Sequence, residues 1–236
     1  MDSDFLRNVA IIGPILLFSV IAHEIAHGYA ALKQGDPTAY QLGRLTWNPI
    51  KHIDPFFTIL LPLLMIWAGT GILGGAKPVP VNPRNYRKFK RGDIIVSLAG
   101  VATNLAIAIA CVIIIALIGI VARLAPTTAG FVEIAQGILL TGIVLNWVLI
   151  NFNLLPIPPL DGSHVMKYLL PPAWSLQYAE FGARFGFFLL IAMVAFAPSV
   201  LGTLLTPGYL MAEAFMRLVQ PVLVAGAFDW TPWGGR

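Results

Sequence analysis

The chain has 236 residues, of which 58% are hydrophobic and only 11% are charged, against roughly 25% charged residues in an average soluble protein. This composition excludes an ordinary soluble domain, because too few charged side chains are present to cover a surface in water. The net charge of +4 at pH 7 is small and its basic residues are clustered, which indicates membrane topology rather than nucleic-acid binding.

The first predicted element is an apolar segment over residues 8–33. Its length is sufficient for a helix that crosses the hydrocarbon core of a bilayer. The segment contains His23, Glu24 and His27 in its second half. A cleaved signal peptide does not carry such residues in its apolar core, so we expect a retained membrane segment.

The next region, residues 38–73, has a mixed pattern. Residues 38–55 include short strand-like runs such as YQLGRLTW, which predict a β-strand or hairpin. Residues 56–73 are apolar but short, and Pro62 lies inside them. They either cross the membrane or re-enter on the same side. Basic residues on both sides of this segment favour the re-entrant form.

Residues 76–93 are the most basic part of the chain and contain three prolines. They predict a loop on the cytoplasmic side of the membrane, with a substrate-gating loop as the alternative. Long apolar runs then predict spanning helices over residues 94–124, 133–155 and 184–205. The tail at residues 209–224 predicts an interfacial helix or a short last span.

These elements predict an all-α polytopic membrane protein. We expect about five to six transmembrane helices, with a re-entrant or β-hairpin segment between the first two core helices. No internal repeat or low-complexity linker divides the chain, so residues 1–236 are expected to form one domain. Within it, the catalytic core covers about residues 8–165, and the C-terminal helices cover about residues 175–226.

The pair His23 and His27 is the first candidate for chemistry. Side chains four positions apart lie on the same face of a helix, so both imidazoles can reach one metal ion. Glu24 is adjacent and is placed to act on a metal-bound water. Each polar residue in the middle of a membrane costs about 2.5 to 3.5 kcal/mol on insertion scales. Three of them within five residues therefore indicate a compensating metal.

A catalytic zinc site needs a third protein ligand beside an open position. The sequence NLLPIPPLDG from Asn153 to Gly162 breaks an apolar run with three prolines and then presents Asp161. An aspartate before glycine is by itself typical of a turn, but together with the histidine pair it becomes the favoured third ligand. His164 and His52 are weaker candidates whose roles stay open. Asp54 is a weak alternative ligand.

The two motifs together resemble the site-2 protease family of intramembrane zinc metalloproteases. The second signature of that family, N-x-x-P-x-P-x-L-D-G, matches residues 153–162 at every fixed position. The run from Gly100 to Asn104 also resembles the G-x-x-x-N element of an intervening core helix. The absence of a stretch long enough for the PDZ insert of many relatives makes the chain similar to compact, short-form members.

The resemblance implies one Zn²⁺ ion bound by His23, His27 and Asp161. It also implies that Glu24 polarises the attacking water and transfers its proton. Asn153 would hold the substrate carbonyl or stabilise the oxyanion. For Asn104, only support of the core packing is expected.

The resemblance further implies a transmembrane-helix protein substrate, a lipid bilayer as environment and no nucleic-acid partner. The active site would lie near the cytosolic side of a bacterial or archaeal cell membrane. A strand within residues 38–55 could pair with an unwound substrate, which we treat as a hypothesis. The alternative function is a zinc-binding membrane transporter or sensor. Glu24 favours the protease, because a metal site without hydrolysis gains little from a base beside its ligand.

Overall fold

The computed structural model describes residues 3–60, 62–63 and 75–232. All regular secondary structure in this part of the chain is helical, which confirms the all-α fold class. Its α-helices are α1 (Ser3–Gln34), α2 (Thr38–Gln41), α3 (Phe89–Leu124), α4 (Ala129–Leu154), α5 (Asp161–Met166), α6 (Pro172–Phe196) and α7 (Pro198–Val219). Shorter helical turns of other types occupy Pro49–Lys51, Pro55–Leu60, Pro83–Asn85, Pro126–Thr128, Gln220–Val222 and Ala227–Trp230.

Four helical stretches of the described chain are long and apolar enough to cross a membrane. They are Leu6–Gln34, Phe89–Leu124, Pro126–Leu154 and Pro172–Phe196. The shortest has 25 residues, which corresponds to about 38 Å of helix against a hydrocarbon core of about 30 Å. The chain is therefore an integral membrane protein. With α7 as a further helix of 22 residues, the count is roughly consistent with the predicted five to six.

Helix α4 lies at the centre of the bundle and α6 at its edge. In the most apolar part of the stretch that contains α4, 67% of the residues are buried, against 17% in α6. Helix α4 contacts α1, α3 and α7. Since lipid gives apolar helices little reason to associate, packing and interhelical hydrogen bonds hold them together.

Two asparagines of α4 supply such interhelical hydrogen bonds. The Asn146 amide donates to Ser19 Oγ of α1 at 3.0 Å, and the Asn151 amide donates to the Leu204 carbonyl of α7 at 2.7 Å. These two bonds connect α4 to α1 and to α7.

The prediction of a strand within residues 38–55 is wrong. Thr38–Gln41 forms one turn of helix, and residues 49–51 form another helical turn. Asn48 accepts a hydrogen bond from the Ile50 N–H at 3.1 Å. Such local side-chain bonds offer the backbone an alternative to a strand ladder. The hypothesis of substrate pairing with a strand in this region therefore has no structural basis.

Three boundaries differ from the sequence-based expectations. Helix α3 begins at Phe89, so the end of the predicted basic loop is helical. The predicted span over residues 184–205 is divided, because α6 ends at Phe196 and α7 begins at Pro198. A proline cannot continue a helix but suits its first position. The predicted tail segment, residues 209–224, falls mainly in the second half of α7.

The segment over residues 56–73 falls mostly outside the described part of the chain. Its first residues belong to the helical turn Pro55–Leu60, whereas residue 61 and residues 64–74 lie outside the described ranges. Whether the segment crosses the membrane or re-enters it stays a prediction.

The chain after α1 is tied to the segment before α3 through Asp36, which is fully buried. Its carboxylate accepts hydrogen bonds from the Asn82 N–H at 2.6 Å, the Asn85 amide at 2.8 Å and the Thr38 hydroxyl at 2.5 Å. Burial alone raises the pKa of Asp36, but these donated hydrogen bonds outweigh it and hold the pKa below its ordinary value. These hydrogen bonds, together called the Asp36 clamp, fix where α3 starts relative to α1.

Candidate active site

Three predicted ligands meet where α1 and α5 approach each other. His23 and His27 lie one turn apart on α1, and Asp161 is the first residue of α5. Asp161 Oδ2 lies 3.2 Å from His23 Nε2 and 3.3 Å from His27 Nε2. One ligand atom from each residue can be chosen so that all three lie within 4.8 Å of one another. The histidines are buried and Asp161 is nearly so.

Both imidazoles are oriented by helix α3. His27 Nδ1 lies 2.7 Å from the Val96 carbonyl oxygen, and His23 Nδ1 lies 3.0 Å from Asn104 Oδ1. A carbonyl oxygen can only accept, so Nδ1 carries the proton and donates. In the neutral rings, both Nε2 atoms then present lone pairs towards Asp161. This is the arrangement of a metal-ligating histidine, whose other ring nitrogen is fixed by a hydrogen bond.

The donor set fits a divalent cation. Two Nε2 lone pairs and a carboxylate oxygen face one another at 3.2 and 3.3 Å, an arrangement that is repulsive without a positive charge between them. Asp161 Oδ2 is buried and receives no hydrogen bond from the described residues. Two imidazole nitrogens and one carboxylate oxygen, with room for a further ligand, form a donor set that is typical of catalytic zinc.

Two glycines allow the close packing that brings the ligands together. A Cβ atom on Gly100 of α3 would lie 2.5 Å from the His23 ring, so only glycine lets α3 approach this imidazole. A Cβ atom on Gly162 would collide with the Leu154 carbonyl oxygen at the end of α4. Glycine therefore lets the first turn of α5, with Asp161, pack directly on the end of α4.

Glu24 lies beside the ligands and is held by a backbone donor. Its Oε2 accepts a hydrogen bond from the Val79 N–H at 2.7 Å. Val79 belongs to the extended segment before α3, over residues 75–82, which is anchored in turn by the Lys77 N–H on the His52 carbonyl at 2.8 Å. The carboxylate is close enough to His23 and His27 to interact with them electrostatically. It is thus available for proton transfer next to the metal ligands.

The other predicted site residues have separate environments. Asn153 donates from its amide to the Leu149 carbonyl of its own helix at 2.9 Å, so its oxyanion role stays a prediction. His52 caps the helical turn at residues 49–51, and its Nε2 lies 2.9 Å from the Thr46 carbonyl oxygen. Among the described residues, the one metal-competent group of three is the histidine pair with Asp161, and it excludes Asp54.

Sequence reasoning missed two contributors and underrated a third. Asn104 was expected to support packing only, but it contacts a ligand directly. Val79 and Asp93 were not identified at all. Val79 acts through its backbone, which no side-chain pattern can show. Asp93 is a buried acid where the basic segment meets the apolar run of α3, 71 residues from its partner His164, so no local pattern connects the two residues.

Comparison with known proteins assigns the chain to a family. The profile of Peptidase family M50 matches residues 11–193. The candidate zinc metalloprotease YwhC of Bacillus subtilis is 37% identical over 213 residues, which cover 88% of this chain and 92% of YwhC. The candidate zinc metalloprotease Rip2 of Mycolicibacterium smegmatis is 31% identical over 209 residues, which cover 84% of this chain and 73% of Rip2. No solved structure matches the chain at a significant level.

Proposed function

The chain belongs to peptidase family M50, the site-2 protease family of intramembrane zinc metalloendopeptidases, and we propose that its hydrolytic site is the cluster where α1, α3 and α5 meet. The metal ligands are His23, His27 and Asp161, and the acid–base group is Glu24. The observation that carries this assignment is the convergence of the two histidine Nε2 atoms on Asp161 Oδ2, which is buried and receives no hydrogen bond from the described residues. No observation on the described residues favours a transporter or a sensor.

The proposed role of each site residue follows from its contacts. A zinc ion bound by the three ligands would polarise the scissile carbonyl and lower the pKa of its bound water towards about 7. Glu24 accepts a proton from the attacking water at its carboxylate and returns it to the leaving amine. Asn104 and the Val96 carbonyl keep the two imidazoles in the ligand tautomer. Asn153 is proposed to bind the substrate carbonyl, for which its amide has to leave the Leu149 carbonyl.

The side of the membrane follows from the basic residues beside the site. Five exposed cations lie just before or within the first turn of α3: Arg84, Arg87, Lys88, Lys90 and Arg91. Val96, which contacts His27, follows the last of them by five residues, or about 8 Å along the helix. Because cytoplasmic segments are rich in Lys and Arg, we propose that the site lies near the cytosolic side of a bacterial or archaeal cell membrane.

We further propose that the substrate is a membrane protein cut within or near a transmembrane helix. The ligands lie on helices of the bundle, and Val96, which contacts His27, lies about 8 Å from the basic end along α3. A soluble protein would have to enter the apolar region to reach them. The catalytic core over about residues 8–165 contains every proposed site residue, and the C-terminal helices over about residues 175–226 complete the single domain.

The direct test is a comparison of wild type with Glu24→Gln. The purified protein should contain one zinc ion per chain and cleave a single-span substrate in liposomes. Glu24→Gln should retain the zinc and lose about 10²- to 10⁴-fold in cleavage rate, which is the contribution of a general base. Glu213→Gln, which alters an exposed carboxylate on α7, is the matched control and should cleave normally. Wild type without zinc, or Glu24→Gln with normal cleavage, would refute the proposal.

A further inference from the structure

The buried carboxylate of Asp93 lies at the centre of a polar cluster outside the metal ligands. Its side chain is only 3% exposed, near the start of α3. Lys167 Nζ lies 2.6 Å from Oδ2, the Tyr168 hydroxyl donates to Oδ2 at 2.9 Å, and His164 Nδ1 lies 3.3 Å from Oδ1. A carboxylate this deeply buried requires such partners, because an unpaired buried charge is strongly unfavourable.

All three partners of Asp93 belong to the segment that carries the third metal ligand. Asp161 is the first residue of α5, and the partners occupy positions three, six and seven residues after it. Helix α5 has only six residues, and a helix so short has no stability of its own. Its position must therefore come from tertiary contacts. Two of these contacts are the packing of Gly162 on the end of α4 and the cluster around Asp93.

The same helix that provides Asp93 also orients the other two ligands. Along α3, Asp93 is followed by Val96, which contacts His27, and by Gly100 and Asn104, which contact His23. Spacings of three and four residues place these positions on one face of the helix. Helix α3 thus holds His23 and His27 directly, and it holds the segment of Asp161 through Asp93.

We propose that Asp93 is a positioning residue for the metal centre, which fixes Asp161 relative to the two histidines by binding the segment from His164 to Tyr168. This inference rests on the proposed ligand set. Loss of the Asp93 contacts releases α5 and the turn that follows it from α3. Asp161 then meets the histidines in only a fraction of molecules, so zinc affinity falls although every ligand is present. Residues outside the ligand set that orient the ligands of a metal typically contribute 10- to 100-fold to its affinity.

The test measures zinc affinity by competition with a chromogenic chelator in detergent, separately from the melting temperature. Asp93→Leu and Lys167→Met should each weaken zinc binding about 10- to 100-fold. Their double variant should lose less than the product of the two, because both residues act through one contact. Excess zinc should restore cleavage by Asp93→Leu, which a general folding defect would not allow. When Co²⁺ replaces zinc, the visible absorption spectrum of Asp93→Leu should differ from that of the wild type.

The control is Glu213→Gln, which breaks a carboxylate–cation pair with the same 2.6 Å separation on the exposed face of α7. It should bind zinc as wild type does. If Asp93→Leu does not fold, Asp93→Asn and Tyr168→Phe provide the same comparison with smaller changes. Folded variants that bind zinc with wild-type affinity, or that lose no more than the Glu213→Gln control loses, would overturn the role of Asp93. Failure of wild type to bind zinc would instead overturn the proposed function.

Discussion

Replacement of Asn104 tests whether the hydrogen bond to His23, rather than packing, supports the metal site. Asn104 is fully buried, and its Oδ1 accepts from His23 Nδ1 at 3.0 Å. Leucine fills a similar volume but leaves the imidazole N–H without an acceptor. A buried donor left unsatisfied costs about 1–3 kcal/mol, which corresponds to roughly 5- to 150-fold in an equilibrium constant at 1.4 kcal/mol per tenfold. We therefore expect Asn104→Leu to weaken zinc binding by about this factor.

The substitution Asn104→Asp should not weaken zinc binding, in contrast to Asn104→Leu. It keeps an acceptor for His23 Nδ1 and makes it anionic, as in carboxylate–histidine–zinc contacts. It also removes the Nδ2 group of Asn104, which is buried without a hydrogen-bond partner among the described residues. Zinc affinity of this variant should therefore equal or exceed that of wild type. Both affinities are measured by chelator competition, with the melting temperature recorded in parallel.

A matched control for these variants is Gln136→Leu. Gln136 is also a fully buried amide, but it donates to carbonyl groups of Ile115 and Val222. Ile115 lies eleven residues from Asn104 on α3, about 16 Å along the helix. Gln136→Leu should lower the melting temperature and leave zinc affinity unchanged. If Asn104→Leu binds zinc as tightly as wild type, or if Asn104→Asp is as weak as Asn104→Leu, the hydrogen-bond reasoning is refuted.

Three further predictions concern the packing of Gly162, the hydrogen bonds of Asp36 and the removal of zinc. Gly162→Ala should destabilise the protein by about 1–3 kcal/mol and reduce its zinc content, because its methyl group collides with the Leu154 carbonyl; normal zinc content by metal analysis would contradict this. Asp36→Asn should lower the melting temperature at pH 7, with a deficit that shrinks as the pH falls below about 4. A carboxyl whose pKa is lowered on folding stabilises the protein above its unfolded pKa and loses this contribution as the pH falls through the folded pKa; a deficit that does not change with pH would speak against the clamp. Chelation of zinc should destabilise wild type, since a ligand at 100 times its dissociation constant contributes about 2.7 kcal/mol, whereas His27→Ala should be insensitive to the chelator.

The three residues that the structure brings together as candidate metal ligands could be singled out from sequence because their signals are local. His23 and His27 share a helix face through their spacing alone, and Asp161 is marked by the prolines before it. The ends of the helices were harder to predict, because a proline such as Pro198 can interrupt one helix or begin another. The strand predicted within residues 38–55 failed for a similar reason. Strand-like composition there is overridden by hydrogen bonds that the side chains of Asp36 and Asn48 accept from backbone N–H groups two residues later, which stabilise turns.

The support of the site could not be predicted from local patterns, because it consists of contacts between distant parts of the chain. Asn104 is 81 residues from His23, and Asp93 is 71 and 75 residues from His164 and Tyr168. Two further contributions, from the Val96 carbonyl and from the missing side chain of Gly100, have no polar side chain to reveal them. A hydropathy pattern therefore shows α3 as a membrane span and nothing more.

Helix α3 explains why a site assembled from two separate motifs can hold one geometry. Helix α1 supplies the histidines, while Asp161 begins a six-residue helix that cannot fix its own position. A third element has to contact both, and one face of α3 does so, from Asp93 to Asn104. Substitutions on this face should therefore change metal affinity although every ligand residue is still present, whereas substitutions on its lipid-facing side, such as at Ile113, should not.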